Sequence, residues 1–192
     1  MTVHSALSRR GGVLLATLLL AVALGGCLKF PLGDPETSRV DPSFNGVWFK
    51  RGEAGEVVLW SVQPFDSRCY LIINYTARPD GGGGWERGGF SVSKGWLSQI
   101  KGRTFLTMQA MTNAPADAPY VVALIEREGE TIVARGIKPD FVKENAVESA
   151  DAFARLVEAN VDNPAMYLDP DRYEKTGDAD AETVQTILRA FH

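Results

Sequence analysis

The sequence predicts a mainly β fold, an antiparallel meander of about eight strands that closes into a barrel and is followed by two C-terminal amphipathic helices. Apolar residues occupy every second position in several short segments, as Cys69, Leu71 and Ile73 do, and this period of two indicates half-buried antiparallel strands. Pairs such as Glu128-Gly129 separate segments rich in β-branched residues and favour tight hairpins. Closing such a sheet would leave no exposed edge strand.

The strands follow one another with short connections, which is typical of an up-and-down meander. The predicted strands are Asn45–Phe49, Glu56–Val62, Arg68–Thr76, Arg87–Ser93, Trp96–Ile100, Arg103–Met111, Tyr120–Arg127 and Glu130–Ile137. The fourth and fifth could equally form one strand bent at Gly95. Turns are predicted at Lys101-Gly102 and Glu128-Gly129, and longer loops at Arg78–Gly84 and Asn113–Pro119.

Beyond Pro139 the apolar period becomes helical. Asn145 with Glu148 three residues later is a capping pattern that predicts the start of one helix, and a second helix is predicted after Asp180. Their apolar stripes comprise Ala146, Ala150, Phe153 and Val157 in the first helix, and Val184, Ile187, Leu188 and Phe191 in the second. Pro164 and Pro170 predict irregular chain between them. Each helix should pack on the sheet or plug a barrel end.

The first 27 residues have the order of a secretory signal: Arg9 and Arg10, an apolar segment at 13–24, two glycines and Cys27. About 12 residues at ~1.5 Å per residue cover roughly 18 Å, which is short for a hydrocarbon core of about 30 Å. Leu24-Gly25-Gly26-Cys27 resembles the lipobox of bacterial lipoproteins. The resemblance implies cleavage after Gly26, a diacylglyceryl group on the Cys27 sulfur and an acyl chain such as palmitate on the new amine, since several chains give stable anchoring.

The residue after Cys27 is Leu28 rather than the aspartate that retains lipoproteins in the inner membrane, so the resemblance implies an outer-membrane protein facing the periplasm. Residues 1–26 would be the signal peptide. Residues 27–45 contain several prolines and acidic residues and are predicted to be a lipidated, solvated tether that lets the domain stand off the membrane. Residues 46–192 would form the folded domain.

The composition of the chain limits the classes of function that fit it. Removing 26 of the 192 residues leaves 166, enough for one domain, and losing Arg9 and Arg10 changes the net charge from −4 to −6. A mildly acidic chain without basic clusters argues against nucleic-acid binding. The mature chain would keep one histidine, His192, and one cysteine besides Cys27, Cys69. So few histidine and cysteine side chains argue against histidine-dependent hydrolase sites and zinc sites, so we expect no enzyme activity, metal or cofactor. Cys69 lies in an apolar segment and is expected to be buried.

Asn45-Gly46-Val47-Trp48 resembles the G-x-W motif that opens the first strand of lipocalins and other calycin barrels. The resemblance implies a calycin-like barrel in which Trp48 closes the floor; otherwise Trp48 is simply a core residue. The whole mature chain also resembles uncharacterised small proteobacterial lipoproteins that have a strand-rich body and a late helix like the one containing Leu188-Arg189-Ala190-Phe191. That second resemblance implies no activity.

An eight-stranded barrel either holds one small ligand or is filled by its own side chains. The candidate binding residues are Trp48, Trp60, Tyr70, Trp85 and Trp96. The first hypothesis is a non-enzymatic module, attached to the membrane by its lipid anchor, that binds an apolar or amphiphilic small molecule. The alternative is a structural or interaction lipoprotein with a solid barrel, whose exposed loop around Trp85 binds another envelope protein.

Overall fold

The computed structural model describes residues 27–111, 119–177 and 181–189. The predicted signal peptide, most of the predicted loop Asn113–Pro119, and the C-terminal residues Phe191 and His192 lie outside the described residues. The strands are β1 (Gly46–Arg51), β2 (Val57–Pro64), β3 (Tyr70–Pro79), β4 (Trp85–Ile100), β5 (Arg103–Ala110), β6 (Tyr120–Glu128), β7 (Thr131–Gly136) and β8 (Asp171–Lys175). The helices are α1 (Pro139–Glu144), α2 (Ala150–Asn160) and α3 (Ala181–Arg189).

The eight strands form one closed barrel, in which each strand is antiparallel to its neighbours and β1 pairs with β8. The predicted barrel class is therefore confirmed. The eighth strand differs from the prediction, and the alternative of one strand in place of the fourth and fifth is confirmed. Residues 85–100 form a single strand, so the fourth and fifth predicted strands are one, and β8 supplies the eighth strand. A side chain at Gly95 would meet Ile72 Cδ1 at 2.6 Å, so the glycine allows close packing inside the barrel.

The helices pack on the outside of the barrel and do not plug its ends. Phe153 and Val157 of α2 join a buried cluster with Phe105 on the outer face of β5. The apolar face of α3 covers the outer face of β1 and β2, with Ile187 completely buried. Among the described residues no helix is long and apolar enough to cross a membrane.

The first predicted helix starts later than its capping pattern indicated. Ser149, not Asn145, is the N-cap of α2, and its Oγ accepts a hydrogen bond from Ala152 N at 3.1 Å. Asn145 instead ends α1, a short helix that the apolar period did not predict. Ala146, between the two helices, has a positive φ of 49°, which breaks the helical path that the stripe suggested.

Residues 27–45 differ from the solvated tether predicted for them, because they lie against the barrel. Leu28 pairs with Tyr120 through two backbone hydrogen bonds of 2.6 and 3.2 Å. Leu32 is completely buried, and its carbonyl accepts hydrogen bonds from side chains of three residues, Trp96, Ser98 and Thr107. The prolines and acidic residues of this segment suggested solvation, whereas the leucines between them supply apolar surface that covers the outer face of the sheet.

Candidate functional site at the open end of the barrel

One end of the barrel is closed by the chain that enters β1. A short 3₁₀ turn, Pro42–Phe44, lies across this end and is capped by Asp41. Trp48 is completely buried beneath it, and its Nε1 donates a 2.8 Å hydrogen bond to the carbonyl of Phe44. The ammonium of Lys175 lies 5.5 Å from the centre of the Trp48 ring. Trp48 therefore forms the floor of the barrel.

The interior next to this floor is filled. Only a void of about 10 Å³ remains there, lined by apolar side chains that include Trp60, Tyr70 and Phe44. The Tyr70 hydroxyl accepts a 2.6 Å hydrogen bond from the backbone N–H of Asp41 and donates to the carbonyl of Asp41 at 3.1 Å. Tyr70 thus fastens the segment before β1 to the closed end.

The opposite end opens into a cavity of about 530 Å³. Its apolar lining includes Val58, Trp60, Met108, Val121, Ala123 and Ala134, all from inward-facing positions of the strands. The cavity exists because the inward positions of β6 and β7 near this end are small, namely Ala123, Ala134 and Gly136. The volume lies within the roughly 300–1,000 Å³ typical of small-molecule sites.

Polar groups gather on one side of the cavity. Lys50 Nζ donates to Asp171 Oδ1 at 2.5 Å, bridging the seam between β1 and β8. Trp60 and Tyr173 stack beneath this pair, with ring centroids 4.2 Å apart. Burial, and secondarily the nearby Asp171 carboxylate, raises the pKa of Tyr173, so its hydroxyl stays protonated. The site combines an apolar floor with a polar rim.

Asn74 also lines the cavity. Its Oδ1 is buried and has no hydrogen-bond partner among the described residues. A buried amide oxygen without a partner destabilises the protein by its lost solvation.

Replacing Asn74 with leucine should raise the free energy of unfolding by about 1 kcal/mol, because it removes the unpaired acceptor and keeps a side chain of similar size. Urea unfolding followed by circular dichroism measures the change. The matched control is Asn163→Leu, because Asn163 Oδ1 accepts from Ala165 N at 3.0 Å. That control should lose about 1 kcal/mol. A loss of stability in Asn74→Leu comparable to that in the control would contradict the prediction.

The structure separates the five candidate binding residues. Trp48, Trp60 and Tyr70 face the interior, but of the five only Trp60 lines the open cavity. Trp96 lies on the outer face, where its Nε1 donates to Leu32. Trp85 is half-buried against the α3 side of the barrel and begins β4, so its predicted exposed-loop position is wrong. The β3–β4 hairpin extends further than its glycine-rich sequence suggested.

The polar residues of the cavity do not stand out in the sequence. Lys50 lies two positions after Trp48, and Asn74 lies two positions after Ile72, so both share a strand face with core residues. A period of two places each of them inside the barrel. That alternation was the available signal for Lys50 and Asn74, whereas Asp171 belongs to a strand that was not predicted.

Cys69 is only 1% exposed, as expected of a small buried side chain, and burial raises the pKa of its thiol. Among the described residues no group of three or more histidine, cysteine, aspartate or glutamate side chains is arranged to hold a metal ion.

The closed end should be sensitive to alkaline pH. Burial raises the pKa of Tyr70 from 10.0 to about 12. The hydroxyl therefore ionises at lower pH in the unfolded chain than in the folded one. Its contribution to stability is complete below about pH 10 and is lost as the pH rises towards about 12. We expect the free energy of unfolding to fall over this range, and to fall less in Tyr70→Phe, as urea unfolding at several alkaline pH values will measure. If the free energy of unfolding fell equally with pH in the parent chain and in Tyr70→Phe, the attribution of this pH dependence to Tyr70 would be wrong.

The chain matches no protein-family model, and neither a curated protein nor a solved structure is significantly similar to it.

Proposed function

We propose that this protein is a lipid-anchored, non-enzymatic binding module that holds an apolar or amphiphilic small molecule in the open half of its barrel. The observation that carries the proposal is the cavity of about 530 Å³, with its apolar floor and its polar side. A solid barrel offers no such space. Binding pockets are typically apolar with a few placed polar groups, and this cavity has that composition.

The lining favours an amphiphile whose polar part carries a hydrogen-bond donor. Trp60, Met108 and Val121 offer apolar contact to the hydrophobic part of such a molecule. Thr76 and Ser91, which also line the cavity, carry hydroxyl groups that can accept a hydrogen bond from the polar part. Lys50 and Asp171 neutralise each other, whereas Glu53 and Asp169 leave the mouth of the cavity net acidic, so the lining disfavours an anionic head group.

The anchor is the second part of the proposal. Leu24-Gly25-Gly26-Cys27 and the basic, apolar segment before it support lipidation of Cys27 after export. Leu28 after the cysteine supports placement in the outer membrane, facing the periplasm. A barrel attached to the membrane would lie close to the apolar and amphiphilic molecules of the bilayer.

The alternative, an interaction lipoprotein with a solid barrel, needs a filled interior and an exposed Trp85. The open cavity and the packing of Trp85 beside α3 both favour the ligand-binding hypothesis instead.

Native mass spectrometry tests the binding hypothesis. The mature chain carrying Cys27→Ser, exported through an ordinary cleavable signal peptide, is purified from the periplasm without detergent. We expect part of the protein to carry an additional small molecule that is released on denaturation and extracts as a lipid. A bare protein mass that persists after incubation with envelope lipids would contradict the proposal.

A further inference from the structure

The predicted anchor residue lies at the open end of the barrel. Leu28 is bound through its backbone to Tyr120, the first residue of β6, and the next residue, Val121, lines the cavity. Cys27 is therefore one residue away from the rim. The chain then runs along the outside of the barrel to the closed end, where it forms the 3₁₀ turn Pro42–Phe44 and enters β1.

An apolar groove of about 430 Å³ lies beside Cys27. Cys27 and Phe30 line one side, and the α1–α2 region lines the other with Val142 and Val147. The α1 helix begins shortly after Gly136, which ends β7 and lines the cavity, so groove and cavity share one end of the barrel. Two lysines, Lys29 and Lys143, and two acids, Asp140 and Glu148, also line the groove, so its charged side chains balance.

We propose that this end of the barrel lies on the lipid bilayer, so that the cavity opens towards the membrane. The inference rests on the proposed lipidation of Cys27. One extended residue spans at most about 3.6 Å, so a lipid on Cys27 cannot hold the rim far from the bilayer surface. A flexible tether of residues 27–45 would have imposed no orientation, but this segment is fastened to the barrel at Leu28 and Leu32.

The chemistry of the groove fits a lipid surface. Phe30, Val142 and Val147 offer apolar contact to acyl chains near Cys27, and this contact, rather than the balanced charges of the groove, favours the lipid surface. Met111, which follows β5 at the same end, is an exposed large apolar residue at 54%. In this orientation a membrane amphiphile reaches the cavity without crossing bulk water.

Two exposed residues form a matched pair for testing the orientation. Met111 follows β5 at the open end and Phe65 follows β2 at the closed end, and each is 54% exposed. The variants Met111→Cys and Phe65→Cys of the full lipidated chain are labelled with a small fluorophore and reconstituted into phosphatidylethanolamine–phosphatidylglycerol vesicles that contain a nitroxide-labelled lipid. We expect at least about twofold stronger quenching of the probe at residue 111. Equal quenching, or stronger quenching at residue 65, would overturn the proposal.

A second pair guards against a local effect of either substitution. Glu53→Cys lies in the β1–β2 connection at the open end, and Glu130→Cys lies in the β6–β7 turn at the closed end. The same order of quenching is expected. The parent chain should take up no label, because lipid blocks Cys27 and Cys69 is buried.

Intact mass separates failure of the anchor from failure of the orientation. A parent chain whose mass lacks the lipid would defeat the proposed lipidation and this inference together. A lipidated chain with equal quenching at both ends would defeat the orientation alone and leave the anchor intact.

Discussion

Replacing Trp48 with alanine should lower the free energy of unfolding by about 3–5 kcal/mol, the usual range for removing a large aromatic side chain from a core. Trp48 is completely buried, and its indole contacts the 3₁₀ turn above it and the ammonium of Lys175. Removing the indole would leave a cavity where β1, β8 and the segment before β1 meet. Urea unfolding measured by far-ultraviolet circular dichroism, which does not depend on tryptophan fluorescence, gives the change.

Trp48→Phe is the matched variant. It retains an aromatic ring inside the barrel but removes the 2.8 Å hydrogen bond from Nε1 to the Phe44 carbonyl. Together with the smaller ring, this should lower the free energy of unfolding by about 1–2 kcal/mol. If the alanine variant were no less stable than the phenylalanine variant, the role of Trp48 as the floor would be wrong.

The barrel could be predicted from sequence because most of its strands carry a strong alternation. In β5, for example, Leu106 and Met108 face inward while Thr107 between them faces outward. In β3 the prediction of a strand is right, but the face with Cys69, Leu71 and Ile73 points outward, whereas Tyr70 and Ile72 face the interior. β8 escaped prediction because Tyr173 is its only apolar residue and its neighbours are charged. Its strand conformation depends on pairing with β1 and β7, which are distant in sequence, rather than on local preference.

The cavity could not be predicted from the tryptophans. Trp60 and Trp96 look alike in sequence, yet one lines the cavity and the other covers the outer face beneath Leu32. The space depends on small residues of neighbouring strands, Ala123 and Gly136, lying directly opposite each other, with Ala134 two positions before Gly136 on the same face. Only the register between strands brings them together.

The position of residues 27–45 against the barrel could not be predicted from composition either. Its prolines and acidic residues indicate irregular, solvated chain, and the chain is indeed irregular. What composition could not reveal is that side chains of the barrel bind its backbone, as Trp96 and Thr107 bind the Leu32 carbonyl. Irregular backbone can be buried when each polar group finds a partner.

Filling the cavity should abolish most ligand binding without unfolding the barrel. Val121 is half-buried and lines the cavity near its mouth, so Val121→Trp would place an indole in the space that the ligand needs. We expect the dissociation constant for an uncharged apolar fluorescent probe such as N-phenyl-1-naphthylamine to rise at least about tenfold, equivalent to about 1.4 kcal/mol. Fluorescence titration measures it, and the co-purified molecule seen by native mass spectrometry should disappear as well.

Ile73→Trp provides the control, because Ile73 is also half-buried but alternates with Ile72 and therefore faces the outside of the barrel. Its probe affinity should equal that of the parent chain. The stability of both variants, measured by urea unfolding, must stay close to that of the parent, since a general loosening of the barrel would also change probe binding. Equal loss of affinity in both variants would mean that the probe binds elsewhere, whereas selective loss in Val121→Trp would locate it in the cavity, because only that indole competes for the same volume.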